Sequence, residues 1–86
     1  MNEKKVVVLT GSGGSFGRFL VKKLLTVSEI FPVFLTSEPE KLGLDSSMSY
    51  KVYKVTLANA ESIKNVFCSI HDECGDIDVL INNAAV

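Results

Sequence analysis

Eight residues, TGSGGSFG at positions 10–17, carry the residue types and spacing for holding a phosphate. They follow the apolar run KVVVL at positions 5–9 and precede an amphipathic stretch. At such a strand-to-helix turn, Gly11 supplies backbone angles that a side chain would forbid. Gly13 or Gly14 removes the Cβ that would block an approaching ligand. Gly17, in the first helical turn, lets the helix pack closely. The helix N-terminus then presents unpaired N–H groups and partial positive charge, the chemistry that receives a pyrophosphate. A glycine pattern alone is weak, and the strand before it and helix after it are the context that gives it meaning.

The elements that position this loop read as alternating strands and helices. Lys5–Leu9 is a short continuous apolar run, as in a strand buried on both faces of a parallel sheet. Phe16, Leu20, Leu24 and Val27 recur at helical spacing and predict a helix over 15–26. Phe31–Thr36 (FPVFLT) predicts a second strand, with Pro32 near its start, where the lost N–H matters least. Glu38–Leu42 fits one helical turn with Pro39 in its first turn. A Gly/Ser/Asp loop over 43–49 leads to a third strand, Tyr50–Leu57. Asn59 is an N-cap residue, Ile63, Val66, Phe67, Ile70 and Cys74 form the apolar stripe of a helix over 59–74, and Gly75 stands where a C-terminal cap glycine belongs. Asp76–Asn82 predicts a fourth strand. Strands alternating with helices mean βαβ units and a parallel sheet. Right-handed crossovers give the strand order 3-2-1-4, the N-terminal half of a Rossmann-type doubly wound α/β fold, with the two helices on opposite faces.

Composition narrows the function. The 86 residues suit one small domain, residues 1–86, and a hydrophobic fraction of 47% is that of a globular chain. A net charge of −1 makes no case for nucleic acid or an anionic membrane as partner. No apolar run reaches signal-peptide or membrane length, so a cytoplasmic protein is expected. Cys68 and Cys74, six apart in one helix, fall on different faces and do not pair. Cys68 is expected half-buried, and His71, among Asp72 and Glu73, solvated. No His, Cys or Asp cluster has metal-ligand spacing, so no metal is expected.

Two motifs resemble the short-chain dehydrogenases/reductases. TGSGGSFG resembles that family's Thr-Gly cofactor loop, and GDIDVLINNAAV its strand ending in Asn-Asn-Ala-Gly. Their separation and the elements between them also match, and the resemblance spans essentially the whole chain. It implies a nicotinamide dinucleotide, NAD or NADP, as partner. Gly11, Ser12, Gly13, Phe16 and Gly17 would line the pyrophosphate, within a loop that also includes Gly14 and Ser15. Thr10 would support the loop, Asn83 and Ala84 would lie near the nicotinamide-side ribose, and Asn82 would brace the fourth strand. The family often has an acidic residue over the adenine after the third strand; here Thr56 and Leu57 stand there.

Departures from the family pattern are informative. The single-domain branch spaces its glycines G-x-x-x-G-x-G, and here the middle one is Ser15, whereas residues 11, 14 and 17 fit the G-x-x-G-x-x-G of the extended branch. LINNAA favours the single-domain branch, with Ala85 in place of the usual glycine. Ser37 occupies the position where a carboxylate would bind the ribose 2′-hydroxyl of NAD and decides nothing; Glu38 leans toward NAD. The family's catalytic Ser, Tyr and Lys follow the Asn-Asn strand, and this sequence reaches only Val86, so no catalytic residue is assigned. A literal Y-x-x-x-K, Tyr50 to Lys54, lies on the predicted third strand, where residues four apart stand about 13 Å apart, too far for the lysine to tune the phenol. The expectation is the NAD(P)-binding portion of an oxidoreductase acting on a carbonyl or alcohol. The alternative is a non-catalytic dinucleotide-binding or interaction module. Asp78-Val79-Leu80-Ile81 carries no Lys or Pro to guard an edge, so self-association through the fourth strand is expected.

Overall fold

A computed structural model describes residues 4–44, 49–56 and 58–83. The elements run β1 (Lys5–Leu9), α1 (Ser15–Leu24), β2 (Ile30–Thr36), a 3-10 turn (Pro39–Leu42), β3 (Lys51–Lys54), α2 (Ala60–Cys74) and β4 (Val79–Ile81). The four strands are parallel and lie in the order β3-β2-β1-β4, the expected Rossmann-type arrangement. β1 is central because its run of four buried residues, Val6–Leu9, has no polar side to show to water.

Strand alternation divides the core into two faces. Val6 and Val8 of β1 and Val33 and Leu35 of β2 point to α2 and pack with Val66 and Ile70. Leu9 and Phe34 point the other way and pack with Val21 of α1. The helices therefore cover opposite faces, as the crossover rule requires. Asn59 caps α2, its Oδ1 accepting from the backbone N–H groups of Glu61 (2.9 Å) and Ser62 (3.2 Å). Gly75 ends it at φ 91°, a conformation side chains rarely adopt.

Three expectations are corrected. The buried face of α1 is not the Phe16/Leu20/Leu24/Val27 stripe. Gly17 and Val21 are buried, Leu20 and Leu24 half-buried, while Phe16 and Val27 are 62% and 41% exposed. The helix approaches on the side where Gly17 has no side chain, and this turns Phe16 outward. Cys68 is exposed rather than half-buried, because α2 buries the face carrying Val66 and Ile70. The outer strands are shorter than Tyr50–Leu57 and Asp76–Asn82. β3 pairs with β2 only from Lys51 to Lys54. At the start of β4, Asp78 binds β1 through its backbone N–H to the Val6 carbonyl (2.9 Å) and through its carboxylate, which accepts from the Val6 N–H (2.7 Å). A side chain thus does the work of a ladder bond, and pairing proper begins at Val79. Val79 and Leu80 are 44% and 51% exposed along this edge.

Candidate dinucleotide-binding cleft

The loop after β1 is shaped by backbone contacts. Gly11 turns the chain at φ 68°, in the region where a side chain is strained. A Cβ on Gly17 would stand 1.9 Å from the Gly11 carbonyl oxygen, so α1 can seat on the loop only with glycine there. A Cβ on Gly13 would stand 2.7 Å from Thr36 Oγ1, which brings the loop against the end of β2. Gly14 is the N-cap of α1, with no side chain capping that end and no acidic residue in its first turn. The first-turn N–H groups of α1 are thereby left to an incoming anion.

Ser12 faces inward. It is fully buried, its hydroxyl donates to the Leu9 carbonyl (3.0 Å), and its N–H donates to the Leu35 carbonyl (3.2 Å). Both polar groups are spent on holding the loop to β1 and β2, so Ser12 shapes the loop and does not line the cleft. Thr10 lies behind the loop, as expected of a supporting residue. Its Oγ1 donates to Asn82 Oδ1 (3.0 Å) and accepts from the Asn83 N–H (3.0 Å). The Asn83 side-chain amide in turn reaches the Gly11 carbonyl (3.4 Å). The residues after β4 therefore anchor the loop after β1.

A cleft of about 700 Å³ opens at the carboxyl ends of the strands, where the order reverses around β1. Its size is that of a small-molecule or cofactor site, and its position is where open α/β sheets bind ligands. Gly11, Gly13, Gly14, Gly17 and Phe16 form one end. Leu35, Thr36 and Ser37 form the floor, Val55 and Thr56 one wall, and Asn83 closes the near side. Glu38 and Lys41 stand at the far rim, joined Oε1 to Nζ at 3.2 Å.

Of the site residues expected from sequence, the structure gathers Gly11, Gly13, Gly14, Phe16, Gly17, Ser37, Thr56 and Asn83 around this cleft. Thr10 and Ser12 stand behind it. Ser15, exposed at the start of α1, is not among its lining residues. Leu57 and Ala84 lie outside the described residues. Thr36 and Lys41 were missed as site residues. Thr36 was legible as the last residue of the β2 run. Lys41 had only the weak signal of its i, i+3 spacing from Glu38.

Other titratable groups lie away from the cleft. Tyr50 is half-buried with its ring 6.2 Å from that of Phe34, and Lys54 is exposed at the end of β3, so the literal Y-x-x-x-K is an extended segment. The Tyr53 hydroxyl donates to Glu73, which also pairs with Lys51 (3.5 Å). Partial burial, reinforced by the Glu73 hydrogen bond and the neighbouring Cys74, raises the Tyr53 phenol above its ordinary value. The bond from Tyr53, and then the Lys51 charge, hold the Glu73 carboxyl below the usual range. Exposed His71 pairs with Asp76 at 3.3 Å. Among the described residues no group of three His, Cys, Asp or Glu could hold a metal, and no helix is long and apolar enough to cross a membrane.

Known proteins agree with this geometry. The chain is 29% identical over 86 residues to the 3-oxoacyl-(acyl-carrier-protein) reductase FabG of Vibrio harveyi, covering 98% of this chain and 35% of that one. It is 30% identical to the NADP-dependent 3-hydroxy acid dehydrogenase of Schizosaccharomyces pombe, covering 95% and 34%. A crystal structure of a short chain dehydrogenase from Leptospira borgpetersenii with bound NAD+ superposes with a TM-score of 0.79 at 29% identity, covering 98% and 32%. The chain thus spans about a third of the length of the relatives it matches. The family model for the short chain dehydrogenases matches residues 5–86, and with loop, sheet order and switch-point cleft all of that kind, the chain belongs to this family.

Proposed function

We propose that residues 1–86 form one nucleotide-binding unit that holds the adenosine and pyrophosphate of a nicotinamide dinucleotide. In this reading the unit serves an oxidoreductase acting on a carbonyl or alcohol substrate. The observation that carries it is the uncapped N-terminus of α1, opening onto the cleft behind a glycine loop with Gly11 at positive φ. A cradle of this kind fits a pyrophosphate, because its donors are backbone N–H groups and no side chain fills the space. The dinucleotide supplies the hydride chemistry when bound.

The chain's own residues bind and orient. The first turn of α1 receives the pyrophosphate. Ser37 and Glu38 face the adenosine ribose, and Thr56 and Val55 form the wall beside the adenine. Asn83, tied to Thr10 and Gly11, stands on the nicotinamide side. No proton donor is assigned here, since Tyr50 packs on Phe34 and Tyr53 is engaged with Glu73, both away from the cleft.

Calorimetric titration with NAD+ and NADP+ tests the reading. The wild-type chain is expected to bind, and Gly11→Val to lose binding, since a β-branched residue is strained in the left-handed region by about 1–2 kcal/mol and displaces the loop. Unchanged affinity in a folded Gly11→Val variant would overturn it.

A further inference from the structure

We propose that the outward face of α1 is a docking surface for an anionic lipid bilayer, with Phe19 as the inserting group and Arg18, Lys22 and Lys23 as the contacts to phosphate headgroups. Phe19 lies two residues from each of Gly17 and Val21, the buried residues of α1, so at about 100° per residue it points away from the sheet. It is 53% exposed. Lys22 and Lys23, one turn further along, flank its ring, and the Lys23 Nζ stands 5.4 Å from the ring centroid. Phe16, one turn back, lies 6.1 Å away between ring centroids, with the two rings inclined by 21°. The face is an aromatic pair set among cations.

Helix stability does not account for this face. Arg18 and Lys22 are like charges at i and i+4, an arrangement that weakens a helix slightly. The helix, SFGRFLVKKL, contains no carboxylate, and among the described residues none pairs with Arg18, Lys22 or Lys23. The whole chain has a net charge of −1, so the positive charge belongs to this face and not to the molecule at large. Nor does the fold call for another layer over it. In a doubly wound sheet the helices are the outermost layer, and the side of α1 turned from the sheet meets solvent. A bilayer matches the chemistry on both counts. Headgroup phosphates take the cations, and the acyl boundary beneath them takes the ring. A helix lying on its side is convex and touches a flat surface along its length. With three cations and one inserting ring, the attachment is weak and reversible, and needs both the charge and the insertion.

Cosedimentation of the chain with phosphatidylcholine vesicles, with and without phosphatidylserine, tests this at low and physiological salt. Wild type should bind only the vesicles that contain phosphatidylserine, and less so as salt rises. The double variant Lys22→Gln with Lys23→Gln should lower the partition roughly 25-fold, about fivefold for each charge taken from the surface. Phe19→Ser should lower it by about fivefold, the loss of one half-buried ring, and keep the salt dependence. Phe19→Trp should bind as wild type does, with its emission shifted to the blue and quenched by brominated lipid. Lys64→Gln, exposed on α2 across the sheet, should leave binding unchanged. All these positions are exposed, so the variants keep the fold, which circular dichroism checks. The proposal is overturned if wild type ignores phosphatidylserine, if Lys64→Gln weakens binding as much as the double variant, or if the Phe19→Trp emission does not move on binding. Binding to soluble polyglutamate as tight as to vesicles, through the same lysines, would also overturn it and assign the face to an acidic protein.

Discussion

The two ends of the cleft are built by different means. At the glycine end, what matters is atoms that are absent: a Cβ at Gly17 would lie 1.9 Å from a backbone oxygen, and no rotamer relieves a clash with backbone. At the rim, what matters is two long side chains in water, whose geometry is held by a single turn. One end tolerates almost no substitution. The other, an exposed ion pair, tolerates most substitutions. Rigid and adaptable construction are thereby separated along one cleft.

Gly17→Ala is the strongest challenge to that separation. It should cost about 2–3 kcal/mol of stability, at the upper range of overpacking, and abolish binding of NAD+ and NADP+ alike. A melting curve and a titration check both, and a variant that discriminated between the cofactors would break the comparison. Thr10→Val comes next. It removes the hydroxyl that links Asn82 and Asn83 to the loop, and should lower stability by about 1–2 kcal/mol and weaken both cofactors together. Equal affinity in a less stable variant would show that the anchor serves folding alone.

The smallest effect belongs to neither end. The Tyr53–Glu73 contact joins β3 to α2, and its two groups act at opposite extremes of pH. The lowered Glu73 carboxyl stabilises the fold above the unfolded value of about 4.3, and that contribution is lost as pH falls through the folded value. The raised Tyr53 phenol stabilises below about 10, and is lost as pH rises beyond it. Tyr53→Phe should lower Tm slightly near neutrality and leave it little changed at the two extremes of pH, so that both limbs of a plot of Tm against pH flatten, with no change in cofactor affinity. A change in affinity would mean that the far side of the sheet is coupled to the cleft.

What the sequence disclosed follows the same division. Alternating apolar runs and glycines led to the strand order 3-2-1-4, and Asn59 and Gly75 marked the limits of α2, because local pattern decides these features. Gly11 and Gly17 were legible because few residues but glycine serve such turns. The inward turn of Ser12 was not legible, since it depends on the Leu35 carbonyl, which only sheet assembly brings near. The stripe through Phe16 and Val27 misled for the related reason that the close approach at Gly17 decides which face of α1 turns in. β4 looked longer because nothing in DIDVLIN marks the Asp78 carboxylate as a substitute for a ladder bond. Lys41 escaped because the site it borders is assembled from β1, β2 and β3 together.

The placement of β1 between β2 and β4 has a consequence for how the chain is made. Ribosomes deliver residues 5–54 first, and these already contain β1, α1, β2 and β3 with the core face around Leu9, Val21 and Phe34. The contacts from Val6 to Asp78 and from Thr10 to Asn82 span 72 positions. Contacts so distant form late, because a long loop closes before they are made. A nascent chain therefore owns its glycine turn well before the turn has an anchor. The cradle becomes rigid only when the second asparagine of the pair has been added and β4 has docked, so that the loop is shaped early and braced late.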